Sequence, residues 1–228
     1  MKNNSETEWK YLSYLLGENT PAYGGGSAFR ADPDKEMDKG DSCNTGKWAL
    51  SNHIGTHVDC PRHFSAKGKT LEAYPADFWI FRHVLLIDMS PLPPGHIICW
   101  EDLSSAPFSD EVGLLLIKTG FSERRHESVY WENNPGFHPD VAEQLLAHFP
   151  NLRMLGFDSI SLSPFGDRPL GRLAHQAFLD HPQPILILED MDLSEVTGAT
   201  RFRQVIVSPL RVSEADASPC TVFAEVKL

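Results

Sequence analysis

Short apolar runs, punctuated by proline and glycine, dominate the pattern of this chain. The clearest lie at residues 83–89, 111–120, 153–161 and 185–188, where Val84-Leu85-Leu86-Ile87 and Leu114-Leu115-Leu116-Ile117 are near-continuous. Brief apolar runs bounded by turn formers read as buried strands. Residues 201–210 and 221–228 alternate well enough to be strands too. Residues 139–149 predict a helix, with Val141, Ala142, Leu145, Leu146 and Phe149 on one face, Pro139 in the first turn and Pro150 as the stop. Residues 173–179 form a second helical stretch. Shorter ones are expected at 70–78, which Pro75 limits, and at 101–103. Near the start, Trp9, Tyr11, Leu12, Tyr14, Leu15 and Leu16 fit either an amphipathic helix or an extended arm, ended by Gly17. Pro21-Ala22-Tyr23-Gly24-Gly25-Gly26 is either a plain turn or a loop folding over a pocket, with Tyr23 as a substrate contact. Residues 31–45 read as a polar surface excursion, and 46–51 return to apolar character. Residues 121–137 mix Phe121, Arg124, Arg125, His126, Tyr130 and Trp131 without periodicity. They read as a loop, either packed on the surface or carrying binding residues. Strands interleaved with helices and no internal repeat make one α/β domain with a mixed sheet.

Composition narrows the partners. At 228 residues, the chain is ample for a buried core, and its 41% hydrophobic and 22% charged residues are ordinary for a globular protein. A net charge of −11 argues against nucleic acid and against anionic membranes, which both need clustered Lys and Arg. Cys43, Cys60, Cys99 and Cys220 form no CxxC pair and read as reduced thiols of a cytoplasmic protein. The polar first residues carry no apolar signal core, and no apolar run is long enough to span a bilayer.

The candidate chemistry lies in Ser51-Asn52-His53-Ile54-Gly55-Thr56-His57-Val58-Asp59-Cys60-Pro61-Arg62-His63-Phe64, which holds three of the ten histidines. His53, His57, Asp59 and His63 stand at even offsets, so an extended segment would point all four the same way. Imidazole and carboxylate bind Zn²⁺ and similar divalent ions, and the stretch reads as the wall of a metal site. Flat strand cannot do this alone. Four residues span ~13 Å, whereas two zinc-ligating nitrogens must both come within about 2.1 Å of the ion. The backbone must therefore bend between His53 and His57, where Gly55 sits. Cys60, at an odd offset, is expected to face away. His175 on a helix and Glu189 at the end of a buried strand are candidates for further ligands, since buried Glu is rare unless paired or metal-bound.

The run His53-x-Gly55-Thr56-His57-x-Asp59-x-Pro61-x-His63-Phe64 matches, at every fixed position, the HxGTHxDxPxHF signature of the cyclase family, which includes bacterial kynurenine formamidases and isatin hydrolase. Leu115-x-Ile117-x-Thr119-Gly120-Phe121, Asn134-Pro135-Gly136-Phe137, Gly156-Phe157-Asp158-Ser159-Ile160-Ser161, His175-Gln176-Ala177-Phe178-Leu179 and Ile185-Leu186-Ile187-Leu188-Glu189 resemble further family elements. His181-Pro182-Gln183-Pro184 looks like an insertion that lengthens the interval from the histidine to the glutamate. The resemblance implies an α/β fold with a mixed, barrel-like β core flanked by helices, of the cyclase-like or swivelling β/β/α kind. It would comprise an N-terminal arm and substrate loop over 1–45 and a hydrolase domain over 46–228. It implies His53, His57 and Asp59 as metal ligands, with His175 and Glu189 completing a site for one or two ions. The ion is expected to be Zn²⁺, with Mn²⁺ the alternative. His63 resembles the catalytic proton-transfer residue, and Tyr23 and Phe64 are candidate contacts for an aryl substrate. The implied activity is metal-dependent amide hydrolysis, with N-formylkynurenine as the named substrate and a homodimer or larger oligomer as the assembly. A cyclic amide such as isatin, or a lactone, is the alternative substrate. A non-catalytic, metal-stabilised binding protein is the alternative from another class.

Overall fold

The computed structural model describes residues 7–26 and 28–228; residues 1–6 of the expected N-terminal arm, and Ser27, lie outside the described residues. Among the described residues the strands are β1 (Thr7–Tyr11), β2 (Phe29–Lys35), β3 (Thr45–Leu50), β4 (His57–Asp59), β5 (Ile80–Phe81), β6 (Val84–Asp88), β7 (Ile97–Ile98), β8 (Leu114–Lys118), β9 (Gly136–Phe137), β10 (Met154–Phe157), β11 (Leu186–Glu189), β12 (Phe202–Pro209) and β13 (Ala217–Lys227). The α-helices are α1 (Trp100–Leu103), α2 (Val129–Glu132), α3 (Val141–His148) and α4 (Arg168–Leu179). None is long and apolar enough to cross a membrane.

The main sheet runs β5-β12-β13-β4-β11-β10-β8-β6, with β1 added beside β13. Strands β6, β8, β10 and β11 are parallel, whereas β4, β13, β12 and β5 continue the sheet antiparallel. The two ends of this order, β5 and β6, are separated in the chain by Arg82 and His83 alone. The sheet therefore curls until its ends approach, giving the expected mixed, barrel-like core.

Near-continuous apolar strands are what a sheet covered on both faces requires. Alternation sends Leu114, Leu116, Met154, Leu186 and Leu188 inward, where they meet Val58, Cys60, Val205, Val207, Val222 and Ala224. Leu115, Ile117, Leu155, Phe157 and Ile187 point outward and pack beneath α3 and α4, against Val141, Leu145, Ala174 and Phe178.

Several elements differ from the sequence pattern. Residues 7–11 take the extended alternative and pair with β13, leaving Trp9 and Tyr11 exposed, and Leu12, the next residue, enters the core. Pro75 splits the stretch at 70–78 into two 3-10 turns, Leu71–Ala73 and Ala76–Trp79. The helix expected at 173–179 begins at Arg168, capped by the Asp167 carboxylate, which accepts from Leu170 N at 3.0 Å. The loop at 121–137 contains α2 and β9, and buries Phe121, Arg125, Tyr130 and Asn134. The surface excursion expected at 31–45 is exposed but ordered, belonging to an antiparallel hairpin of β2 and β3 in which no residue is buried, so the apolar character of 46–51 does not turn inward.

Candidate metal centre

Strand parity explains where the polar side chains go. Val58 and Cys60 point into the barrel, so His57 and Asp59 must point to its outer face. There β4 pairs with β11 in a register that sets His57 against Glu189 and Asp59 against Ile187. Glu189 ends a parallel strand, the edge of an α/β sheet where ligands bind. Helix α4 presents a buried stripe of Gly171, Ala174, His175, Phe178 and Leu179 over this edge. Gly171 permits the close approach, since a Cβ there would fall 2.2 Å from Ser163 Oγ. The chain before β4 bends at Gly55, where φ is +63° and a Cβ would press to 3.1 Å from Leu16 Cδ1. This bend brings His53 back over β4. The 3-10 turn Pro61–His63 then returns His63 to the same side.

The hydrogen bonds fix the imidazole tautomers. A carbonyl oxygen only accepts, so His57 donates from Nδ1 to Gly55 O at 2.8 Å, and His175 donates from Nδ1 to Gly171 O at 2.9 Å. In the neutral, metal-binding form of each ring Nε2 is then a lone pair. His57 Nε2 faces Asp59 Oδ1 at 3.5 Å and Glu189 Oε2 at 3.4 Å; His175 Nε2 faces Asp59 Oδ2 at 3.8 Å and Glu189 Oε1 at 3.6 Å. On the third side, His53 Nδ1 lies 2.9 Å from Asp59 Oδ1. Among the described residues the buried His57 Nε2 has no hydrogen-bond partner, and Asp59 Oδ1 has only the 2.9 Å approach of His53 Nδ1. Imidazole lone pairs turned on buried carboxylates repel unless a cation lies among them, and each ring donates its other nitrogen to an oxygen as metal-ligating histidines do. The residues therefore fit a divalent ion. His53, His57 and Asp59 bring ligand atoms within 4.8 Å of one another, and so do Asp59, His63 and His175. Asp59 belongs to both groups, which leaves room for one ion or two.

The electrostatics carry the same imprint. Burial opposes a charged His53, yet the Asp59 and Asp216 carboxylates outweigh it and push its pKa up to about 9. Burial likewise opposes an ionised Asp59, but the surrounding imidazoles hold it well below the usual carboxylate range. Burial pushes His63 down.

All eight residues singled out in the sequence, including Tyr23 and Phe64, line one cavity of about 260 Å³. The Phe64 ring stacks on His175 at 4.7 Å. Tyr23 packs edge-on against Phe165 and carries a buried hydroxyl. Ile160 adds an apolar wall.

Two groups were not found by sequence reasoning. Asp216 Oδ2 lies 3.2 Å from both His53 Nε2 and His63 Nδ1. Asp190, beside Glu189, sits at φ +51° and is clamped by Arg125, with Nε to Oδ1 at 2.9 Å and Nη2 to Oδ2 at 2.7 Å, and by the Tyr130 hydroxyl. A carboxylate just ahead of a strand and an Arg–Tyr pair in a loop were the only local signals; their partners are distant in sequence.

A family model named Cyclase, described as "Putative cyclase", matches residues 11–164. A kynurenine formamidase from Bacillus cereus is 29% identical over 213 residues, covering 93% of this chain and 95% of the relative. Isatin hydrolase A from Labrenzia aggregata superposes with a TM-score of 0.78 at 20% identity, over 100% of this chain and 96% of the other. A structure titled as a "predicted metal-dependent hydrolase" from Bacillus stearothermophilus gives 0.70 at 18% identity, over 96% and 98%. The family match spans most of the chain and includes the histidine stretch that builds the candidate centre: the protein belongs to the cyclase family.

Proposed function

We propose that this protein is a metal-dependent hydrolase that cleaves a C–N amide bond, with an aryl formamide, N-formylkynurenine first, as substrate. The observation that carries this reading is the convergence of three imidazoles and two buried carboxylates on one small cavity. His53 Nδ1, His57 Nε2, His175 Nε2, Asp59 and Glu189 would hold the ion or ions. A nitrogen and oxygen donor set of this kind suits Zn²⁺, and also Mn²⁺. When bound, such a cation supplies Lewis acidity that polarises a carbonyl and makes water acidic enough to attack near neutral pH. The chain does the rest. Leu162 N and Ser161 Oγ donate to Glu189 Oε1 at 2.7 and 3.3 Å and hold that carboxylate in place. Phe64, Ile160 and Tyr23 exclude water and face an aryl group. His63 takes a proton at Nε2 and returns it to the departing nitrogen, since an amine leaves only when protonated. The names of the relatives support the same class: a kynurenine formamidase, an isatin hydrolase and a metal-dependent hydrolase. The isatin hydrolase likeness keeps a cyclic amide as the second substrate. The four free thiols fit a reducing, cytoplasmic setting.

We also propose a homodimer held by the β2–β3 hairpin. Register places Ala31 opposite Trp48 on one face, while Asp32 faces Lys47 on the other. The polar face is satisfied by Arg30–Asp32 and Lys47–Asp34 ion pairs, but Trp48 stays 75% exposed. A lone two-stranded hairpin is marginal in water and gains stability by packing its apolar face on another body. Trp48→Glu is expected to turn a dimer into a monomer in sedimentation equilibrium; a wild-type monomer at micromolar concentration would contradict the proposal.

The test of the activity is hydrolysis of aryl formamides, isatin and lactones by protein reconstituted with Zn²⁺ or Mn²⁺. Formamide turnover that chelation abolishes and metal restores is expected. Turnover insensitive to chelation, or none on any amide, would overturn the reading.

A further inference from the structure

Asp216 stands immediately before β13, and the backbone holds it firmly. Strand β13 pairs with β4 at Ala217↔Asp59, Ser218↔Val58 and Pro219↔His57, and Cys60 N donates to Asp216 O at 2.8 Å. The last strand thus delivers a carboxylate to the rim of the centre, far in sequence from every other residue there. Its Oδ1 accepts from Asn52 Nδ2 at 2.5 Å. Its Oδ2 lies 3.2 Å from His63 Nδ1. An ionised carboxylate only accepts, so the proton between them belongs to His63 Nδ1. The His63 ring is also held sideways, with the His53 ring at 4.1 Å and the Phe64 ring at 4.6 Å.

We infer that Asp216 is a positioning residue for His63. It fixes the Nδ1–H tautomer, so that Nε2 is the basic nitrogen left to the cavity. A neutral imidazole without such a partner divides between two tautomers and turns freely, and only one arrangement presents a lone pair to a reacting proton. The second contact, from His53 Nε2 to the same Oδ2, steadies the ring whose Nδ1 faces Asp59. This inference rests on the proton-transfer role proposed for His63.

Nitrogen-resolved histidine NMR on the zinc-loaded full chain reads the tautomer directly. Wild type is expected to show His63 protonated at Nδ1, and Asp216→Asn to lose that preference. The same variant is expected to keep its metal and its KM for an aryl formamide while kcat falls about 100-fold, with partial recovery in Asp216→Glu. A wild-type His63 protonated at Nε2 overturns the inference whatever the variants do. So does Asp216→Asn with unchanged kcat, or with activity lost in step with metal, which would place the residue's role at His53. If no amide is hydrolysed at all, the functional reading fails while the NMR result still decides the tautomer.

Discussion

Asp59→Asn is expected to remain folded, to lose its metal, and to lower amide hydrolysis by about 10³-fold or more. The reason lies in the position of one carboxylate. Asp59 is 1% exposed, and its two oxygens face His53, His57 and His175. It is the residue shared by the two ligand groups that contain His57 and His175. An amide of the same shape removes one of the two buried negative charges and half of the acceptor capacity, leaving Glu189 as the one carboxylate of the proposed ligand set to balance a divalent ion. The fold should survive, because the neighbouring core at Val58 and Cys60 is untouched and a buried cation–anion cluster is weak evidence for stability. Metal analysis after dialysis and far-UV circular dichroism separate the two effects. Retention of a full metal complement by the variant would contradict the assigned role.

Arg125→Ala carries the largest expected stability loss. Arg125 and Asp190 form a buried two-point ion pair, and the guanidinium also lies 3.9 Å over the Tyr14 ring. Removing one partner of a buried pair costs about 3–5 kcal/mol, because the other charge is left uncompensated. For a domain of this size the melting temperature should fall by about 10 °C or more. The loss extends to the centre. Asp190 has φ +51°, a strained backbone for a residue with a side chain, and Thr56 Oγ1 donates to its carbonyl at 2.5 Å. Both neighbours of the site, Glu189 before it and Thr56 beside His57, thus depend on the clamp. Arg125→Lys should recover little, since an ammonium cannot reproduce the fork. Thermal unfolding of the metal-free variants measures this, and a melting temperature within about 2 °C of wild type would sink the argument.

The parts legible in the sequence were those with local causes. Leu114–Ile117 announced a strand buried on both faces, and Pro139 with Pro150 bracketed α3. His53, Gly55, His57 and Asp59 could be read together because the requirement for converging nitrogens needs a bend, and only glycine takes φ +63° at no cost. What escaped was set by pairing between distant segments. Whether the N-terminal apolar residues would coil or extend depended on the free edge of β13. Asp216 carries no local signal of its partner in the sequence, and it is the register of β13 on β4 that brings it beside His63. Arg125 and Tyr130 gave only an aromatic, charged composition, and nothing local marked Asp190 as their partner. The exposed hairpin hid behind a charged composition, because its apolar positions lie on one face, where Trp48 stays exposed.

In the proposed enzyme one cavity holds a catalytic divalent ion through residues of β4, β11, α4 and the bend before β4. Anomalous diffraction from crystals grown with Zn²⁺ or Mn²⁺ tests it most directly. Anomalous density bonded to His57 Nε2, His175 Nε2, Asp59 and Glu189 is expected, with His53 Nδ1 completing the shell of a first or second ion. Metal found elsewhere in the chain, or none in this cavity at full loading, would contradict it.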